Sequence, residues 1–166
     1  MSVVGFDQPV LPRLDDIERL LATLLGREVR VDRLRQGTTI AAPDRVACYR
    51  DRQGALRAVV AVDRLLGAGL GGALALIPRA AVEEDLESEP ELPEHLADNL
   101  YEVLNICAGL FNEARERALH VRLVDVTAAA DLDDEVRALL HGGRGRVDCS
   151  VVIPGYPGGE LAVRIQ

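Results

Sequence analysis

The stretch Leu92–Ala118, LPEHLADNLYEVLNICAGLFNEARERA, organises the reading of the whole chain. At about 100° per residue, Leu96, Leu100, Val103, Cys107, Leu110, Phe111 and Ala114 gather on one side, while Asp98, Glu102, Asn105, Gly109 and Asn112 fall opposite. The pattern predicts one long amphipathic helix laid with its apolar face on a core. Pro93 suits the first helical position, and Glu94 and Asp98 put negative charge near the positive end of the helix dipole.

Two residues of the polar stripe are poor choices for a helix interior. Asn is a weak helix former, and Gly costs about 1 kcal/mol relative to Ala at an exposed interior position. A surface selected for helix stability would carry Lys, Glu or Ala there. Asn105 instead offers a carboxamide that donates and accepts hydrogen bonds, beside the carboxylate of Glu102 one turn earlier. Gly109, one turn later, removes a side chain and leaves space for the approach of another backbone. A solvated helix face with a tolerated glycine is the plain alternative.

Composition narrows the chemistry. With 166 residues, 48% of them hydrophobic, the chain is expected to form a single globular domain, its first eleven residues a loose lead-in. Trp is absent and aromatics are few, so Leu, Val, Ile and Ala build the core. A net charge of −8 argues against a generic nucleic-acid surface or an anionic-membrane surface, both of which depend on clustered cations. All the cationic side chains are arginine. Without lysine, Schiff-base chemistry and a Walker-type phosphate loop are excluded. Cys48, Cys107 and Cys149 are scattered among apolar neighbours and read as reduced core thiols. His95, His120 and His141 lack ligand spacing, so no metal site is expected. The N-terminus has no basic segment followed by an apolar run, and the longest nearly uncharged run, Leu65–Pro78, is too short to span a bilayer. A cytoplasmic protein is the expectation.

Taken in order, Leu14–Leu25 is a first amphipathic helix, with Asp15, Asp16 and Glu18 near its start and Gly26 just past its end. Three strands follow: Glu28–Arg35, Arg45–Arg50 and Leu56–Val62, the last apolar on both faces and therefore nearer the sheet centre. Residues 63–78, DRLLGAGLGGALALIP, contain Gly67, Gly69 and Gly72, which spell GxGxxG. A dinucleotide fingerprint needs its first glycine at the strand end, and here Asp63–Leu66 intervene. The spacing instead predicts a helix with small residues for close packing, ended by Pro78. Glu83–Pro93, with two prolines and six acidic residues, is expected to be a solvated connector.

Beyond the central helix, His120–Val126 reads as a strand and Leu132–Leu140 as a short helix capped by Asp131. The basic GGRGR turn, Gly142–Arg146, could meet phosphate but reads more simply as a turn with solvated arginines. Val147–Ile153 and Glu160–Ile165 alternate as a closing hairpin across PGYPGG. The expectation is an α+β fold of six strands and four helices. Its sheet would be antiparallel or mixed, with the helices packed on one face.

The segment Asp98–Gly109, DNLYEVLNICAG, has the form D-x3-E-x2-N followed by an apolar triplet and Gly. It resembles the signature helix of the CheC, CheX and FliY phosphatases of bacterial chemotaxis, and the order of elements is similar to theirs. The CheC type carries two such helices related by an internal repeat. Leu14–Leu25 lacks the Glu and Asn pair, so the resemblance is to the single-site CheX type. The family pattern continues with a proline some twenty-two residues after the Asn, where this chain reads Val126, Thr127, Ala128, Ala129.

That resemblance implies a protein substrate: a CheY-like receiver domain phosphorylated on aspartate, which brings its own magnesium and lysine, so that the phosphatase needs no cofactor. Asn105 would hold a water in line with phosphorus, and Glu102 would pair with the receiver's lysine and fix the docking register. Asp98, Gly109 and Asn112 would line the contact, with Gly109 admitting a close approach. A homodimer is also implied, since a six-stranded sheet leaves edges to be paired. Two other readings stay open: a non-catalytic adaptor for a signalling or flagellar-switch partner, and a small-molecule domain built on the glycine stretch.

Overall fold

The computed structural model describes residues 9–35, 40, 42–112 and 120–166. Its first half runs α1 (Leu14–Leu25), β1 (Arg30–Arg33), β2 (Arg45–Arg50), β3 (Leu56–Val62), α2 (Arg64–Leu74) and α3 (Arg79–Ser88). The second half runs α4 (Glu94–Ile106), α5 (Gly109–Asn112), β4 (Arg122–Ala128), α6 (Asp134–His141), β5 (Gly145–Val152) and β6 (Gly159–Ile165). Most of the lead-in lies outside the described residues, but Leu11 packs against the core.

The six strands form one antiparallel sheet in the order β1-β5-β6-β3-β2-β4. That order reads the same when the halves are exchanged, β1, β2 and β3 for β4, β5 and β6. A pseudo-two-fold axis therefore runs between β3 and β6, where Val60 pairs with Val163. In this scheme α1, which leads into β1, is the counterpart of α4, which leads towards β4. β3 is central, as its apolar sequence predicts, and all but Arg57 of its residues are buried.

Strand alternation sends residues to both sides of the sheet. Ala47, Tyr49, Ala58, Val60, Val147, Cys149, Leu161 and Val163 face the main core beneath α1, α2 and α4. Val46, Cys48, Val59, Ala61 and Ala162 face the other way, against Val136, Leu139 and Leu140 of α6. So α6 departs from the expectation that the helices share one face. Its cap also differs: Asp133, not Asp131, accepts from Val136 N at 2.9 Å, and Ala129–Asp131 is a 3-10 turn.

Glycine-rich α2 is packed on nearly every side, with Gly67 to Ala73 all buried. A Cβ at Gly71 would lie 2.5 Å from the Leu96 carbonyl oxygen of α4, and one at Gly69 would overlap the Pro157 carbonyl. These glycines let α4 and the β5–β6 loop close on α2, the packing role the sequence suggests. Asp63 caps α2 through Leu66 N (2.8 Å) and also accepts from Glu160 N at 2.9 Å, fixing the helix to β6.

The acidic connector is a correction. Its first part is the second half of α3, whose one fully buried side chain is Val82. Arg64 NH2 reaches across from α2 to the carbonyls of Leu86 (2.8 Å) and Glu89, satisfying the helix end. His95 Nε2 lies 2.9 Å from Asp85 Oδ2, joining α3 to the start of α4. A single buried residue in a strongly charged helix leaves almost no periodicity to read.

Candidate functional site

The central helix is not one helix. α4 ends at Ile106, the chain turns through Cys107 and Ala108, and α5 occupies Gly109–Asn112. The break has a cause in another strand. Tyr49 of β2, fully buried, donates its hydroxyl to the Leu104 carbonyl at 2.6 Å. In an unbroken helix that carbonyl would accept from Ala108 N; here Ala108 N donates instead to Asn105 O at 3.3 Å. The Tyr49 ring continues against Phe111 with centroids 5.2 Å apart, so one side chain pins both sides of the turn. Residues 113–118 of the expected helix lie outside the described residues.

This arrangement sets Glu102 and Asn105 on a firmly held last turn. Beneath them Leu96, Leu100, Val103 and Leu104 are fully buried, each worth about 2 kcal/mol relative to exposure. Above, Asp98, Glu102 and Asn105 are exposed on the opposite face, as the periodicity predicts. Among the described residues, none of the three side chains has a hydrogen-bond or ion-pair partner.

The remaining predicted positions are placed differently. Gly109 opens α5, across the turn from Asn105. Asn112 turns its carboxamide to the backbone: Nδ2 donates to Val121 O at 2.9 Å and Oδ1 accepts from Val121 N at 3.0 Å. It ties α5 to the chain entering β4, a use of asparagine that the single-helix reading could not foresee. The region without the family proline is the end of β4, where Ala128 pairs with Arg45 and Ala129 N donates to Asp44 O at 3.0 Å. Proline at position 129 would forfeit that bond.

Two neighbours of the pair were not singled out by the sequence. Tyr101 and Ile106 are 39% and 43% exposed, among the few large apolar side chains the surface shows. Each adjoins a polar residue of the pair in sequence, and together they put apolar area around it. Ile106 also forms the wall of a depression of about 350 Å³ shared with Asp16, Arg19, Leu20, Thr23 and Leu24 of α1. The signal was available: at helical spacing the two flank the polar stripe on either side.

Nucleophile chemistry finds no support in the thiols. Cys48, Cys107 and Cys149 are buried and unpaired. Burial pushes each up to about 12, helped at Cys48 by the adjacent Asp125 carboxylate and at Cys149 by Asp148. Among the described residues, no group of three His, Cys, Asp or Glu side chains is placed to hold a metal, and no helix is long and apolar enough to cross a membrane. What the surface offers is a carboxylate and a carboxamide on adjacent turns, with apolar flanks.

No family model matches the sequence, and comparison with curated proteins finds no match. Solved structures do match in fold. The FliM middle domain of Vibrio alginolyticus superposes with a TM-score of 0.56 at 11% identity, over 92% of this chain and 88% of that one. CheX in the CheX–CheY–BeF3–Mg complex from Borrelia burgdorferi gives 0.51 at 14% identity, over 93% and 99%. FliY of Thermotoga maritima gives 0.50 at 14% identity, over 90% and 81%. The six-stranded antiparallel sheet with its flanking helices is the fold of CheX, FliY and the FliM middle domain.

Proposed function

We propose that this chain hydrolyses the aspartyl phosphate of a CheY-like receiver domain. The observation that carries the reading is the placement of Glu102 and Asn105: exposed, with no side-chain partner among the described residues, on adjacent turns, and mounted on a helix end that Tyr49 fixes. An aspartyl phosphate is already a reactive acyl phosphate, so orientation of a water is chemically sufficient. Asn105 supplies both a donor and an acceptor to hold that water in line with phosphorus, and Glu102 supplies a fixed negative charge for a cation of the receiver. The receiver contributes the magnesium. The fold is shared with a CheX captured with CheY, BeF3 and Mg, which supports a receiver as the class of partner.

The test is phosphate release from phosphorylated CheY-type receivers of the source organism. The chain should accelerate release, and Asn105→Ala should lower the rate constant by about 100-fold, the scale of a lost positioning contact. Glu102→Ala should act mainly through KM, because it removes docking charge. Acceleration that survives both substitutions contradicts the proposal. The fold is equally that of a FliM middle domain, which favours an adaptor as the second reading. Binding to a receiver without any acceleration of release would select it.

A further inference from the structure

The pseudo-two-fold of the sheet makes α1 the counterpart of α4, and one register of the two sequences matches their buried faces: Ile17 and Leu21 fall on Leu100 and Leu104. In that register Asp15 falls on Asp98, Arg19 stands where α4 has Glu102, and Ala22 where it has Asn105. The position of Glu102 thus carries a cation on α1.

Arg19 also lies beside the site. It lines the depression of about 350 Å³ whose far wall is Ile106, the residue next to Asn105. The floor is apolar, from Leu20 and Leu24, and Thr23 sits exposed at the rim. Among the described residues Arg19 pairs with Asp16, which lines the same hollow, at 3.9 Å between exposed side chains, an interaction worth little. An exposed cation, an apolar hollow and an exposed isoleucine thus continue the surface that begins at Glu102.

We propose that this hollow is a second contact point for the same receiver that meets Glu102 and Asn105, an inference that rests on the function proposed above. An apolar side chain of the receiver enters between α1 and Ile106, and a receiver carboxylate pairs with Arg19. The partner is then read at two points of opposite sign, a cation for Glu102 and an anion for Arg19. Two opposite charges define a direction, so a receiver rotated by half a turn meets like charges at both ends. α1, with Arg19 and Ala22 where α4 has Glu102 and Asn105, serves specificity.

The experiment uses CheY-type receivers loaded with magnesium and beryllofluoride to measure Kd, and the phosphorylated forms to separate KM from kcat. Arg19→Glu should weaken Kd and raise KM by about tenfold with little change in kcat, and Arg19→Lys should restore most of the affinity. Thr23→Tyr, which fills the hollow from an exposed helical position without adding charge, should act in the same direction. Kd and KM unchanged in both Arg19→Glu and Thr23→Tyr overturn the inference, even if the wild-type chain releases phosphate. Weakened binding in those variants by a chain that releases no phosphate keeps the contact surface and removes the phosphatase reading. A wild-type chain that binds none of the receivers removes both.

Discussion

Asn105 is held at a place where helix stability alone would not put it. Replacing it with Ala should leave the melting temperature unchanged or raise it slightly, since Ala is favoured by roughly 0.5 kcal/mol at an exposed helical site, while turnover is lost. A large loss of stability in calorimetry would show that Asn105 is structural. Asn112 is the contrasting case. Its carboxamide is spent on both polar atoms of the Val121 backbone, so Asn112→Ala should cost about 1–3 kcal/mol in urea unfolding. Tyr49→Phe, which strands the Leu104 carbonyl, should cost a similar amount. Asn105, Gly109 and Asn112 of the polar stripe looked alike in sequence. What separates them is a hydroxyl from a strand more than fifty positions away, and no local pattern in the helix records it.

At the scale of elements, the strongly periodic parts were legible to the residue. Leu14–Leu25, Arg45–Arg50 and Leu56–Val62 are found with the predicted bounds, because alternation and caps agree there. α3 was not, since its pattern rests on Val82 and on an arginine borrowed from α2. The glycines of α2 show how context reverses a propensity. In an isolated helix Gly71→Ala would add about 1 kcal/mol of stability. Here the new methyl would press on the Leu96 carbonyl, and the chain should lose about 3 kcal/mol or fail to fold. A stable Gly71→Ala variant would contradict the close α2–α4 packing. That packing seats the helix carrying the site, so a milder displacement should also lower phosphate release.

For the whole molecule, the palindromic strand order is the property least visible in sequence, because it lies in the pairing of strands far apart in the chain and leaves no local pattern. The interior also fixes the response to pH. Cys48, Cys107 and Cys149 are pushed up to about 12 in the folded chain, whereas an unfolded thiol titrates near about 8.5. Between those values the unfolded chain holds fewer protons, so stability falls as pH rises from about 9 towards 12. Asp51 works in the opposite range. Arg57 at 2.7 Å and the Ala55 and Gln53 amides hold its carboxyl below the ordinary value. That stability is present above the ordinary carboxylate range and is lost as pH falls through the lowered value. Urea midpoints should therefore drop at both ends, and Asp51→Asn should flatten the acid side. An unchanged acid limb would contradict the Asp51 network.

If Glu102 and Asn105 act together on a receiver's acyl phosphate, as proposed, single-turnover phosphate release from a phosphorylated CheY-type receiver at saturating concentrations of this chain tests it, with Asn105→Ala beside the wild type. The wild type should accelerate release and the variant should fall by about 100-fold, with binding to the beryllofluoride form retained. Equal release by the wild type and Asn105→Ala would contradict it.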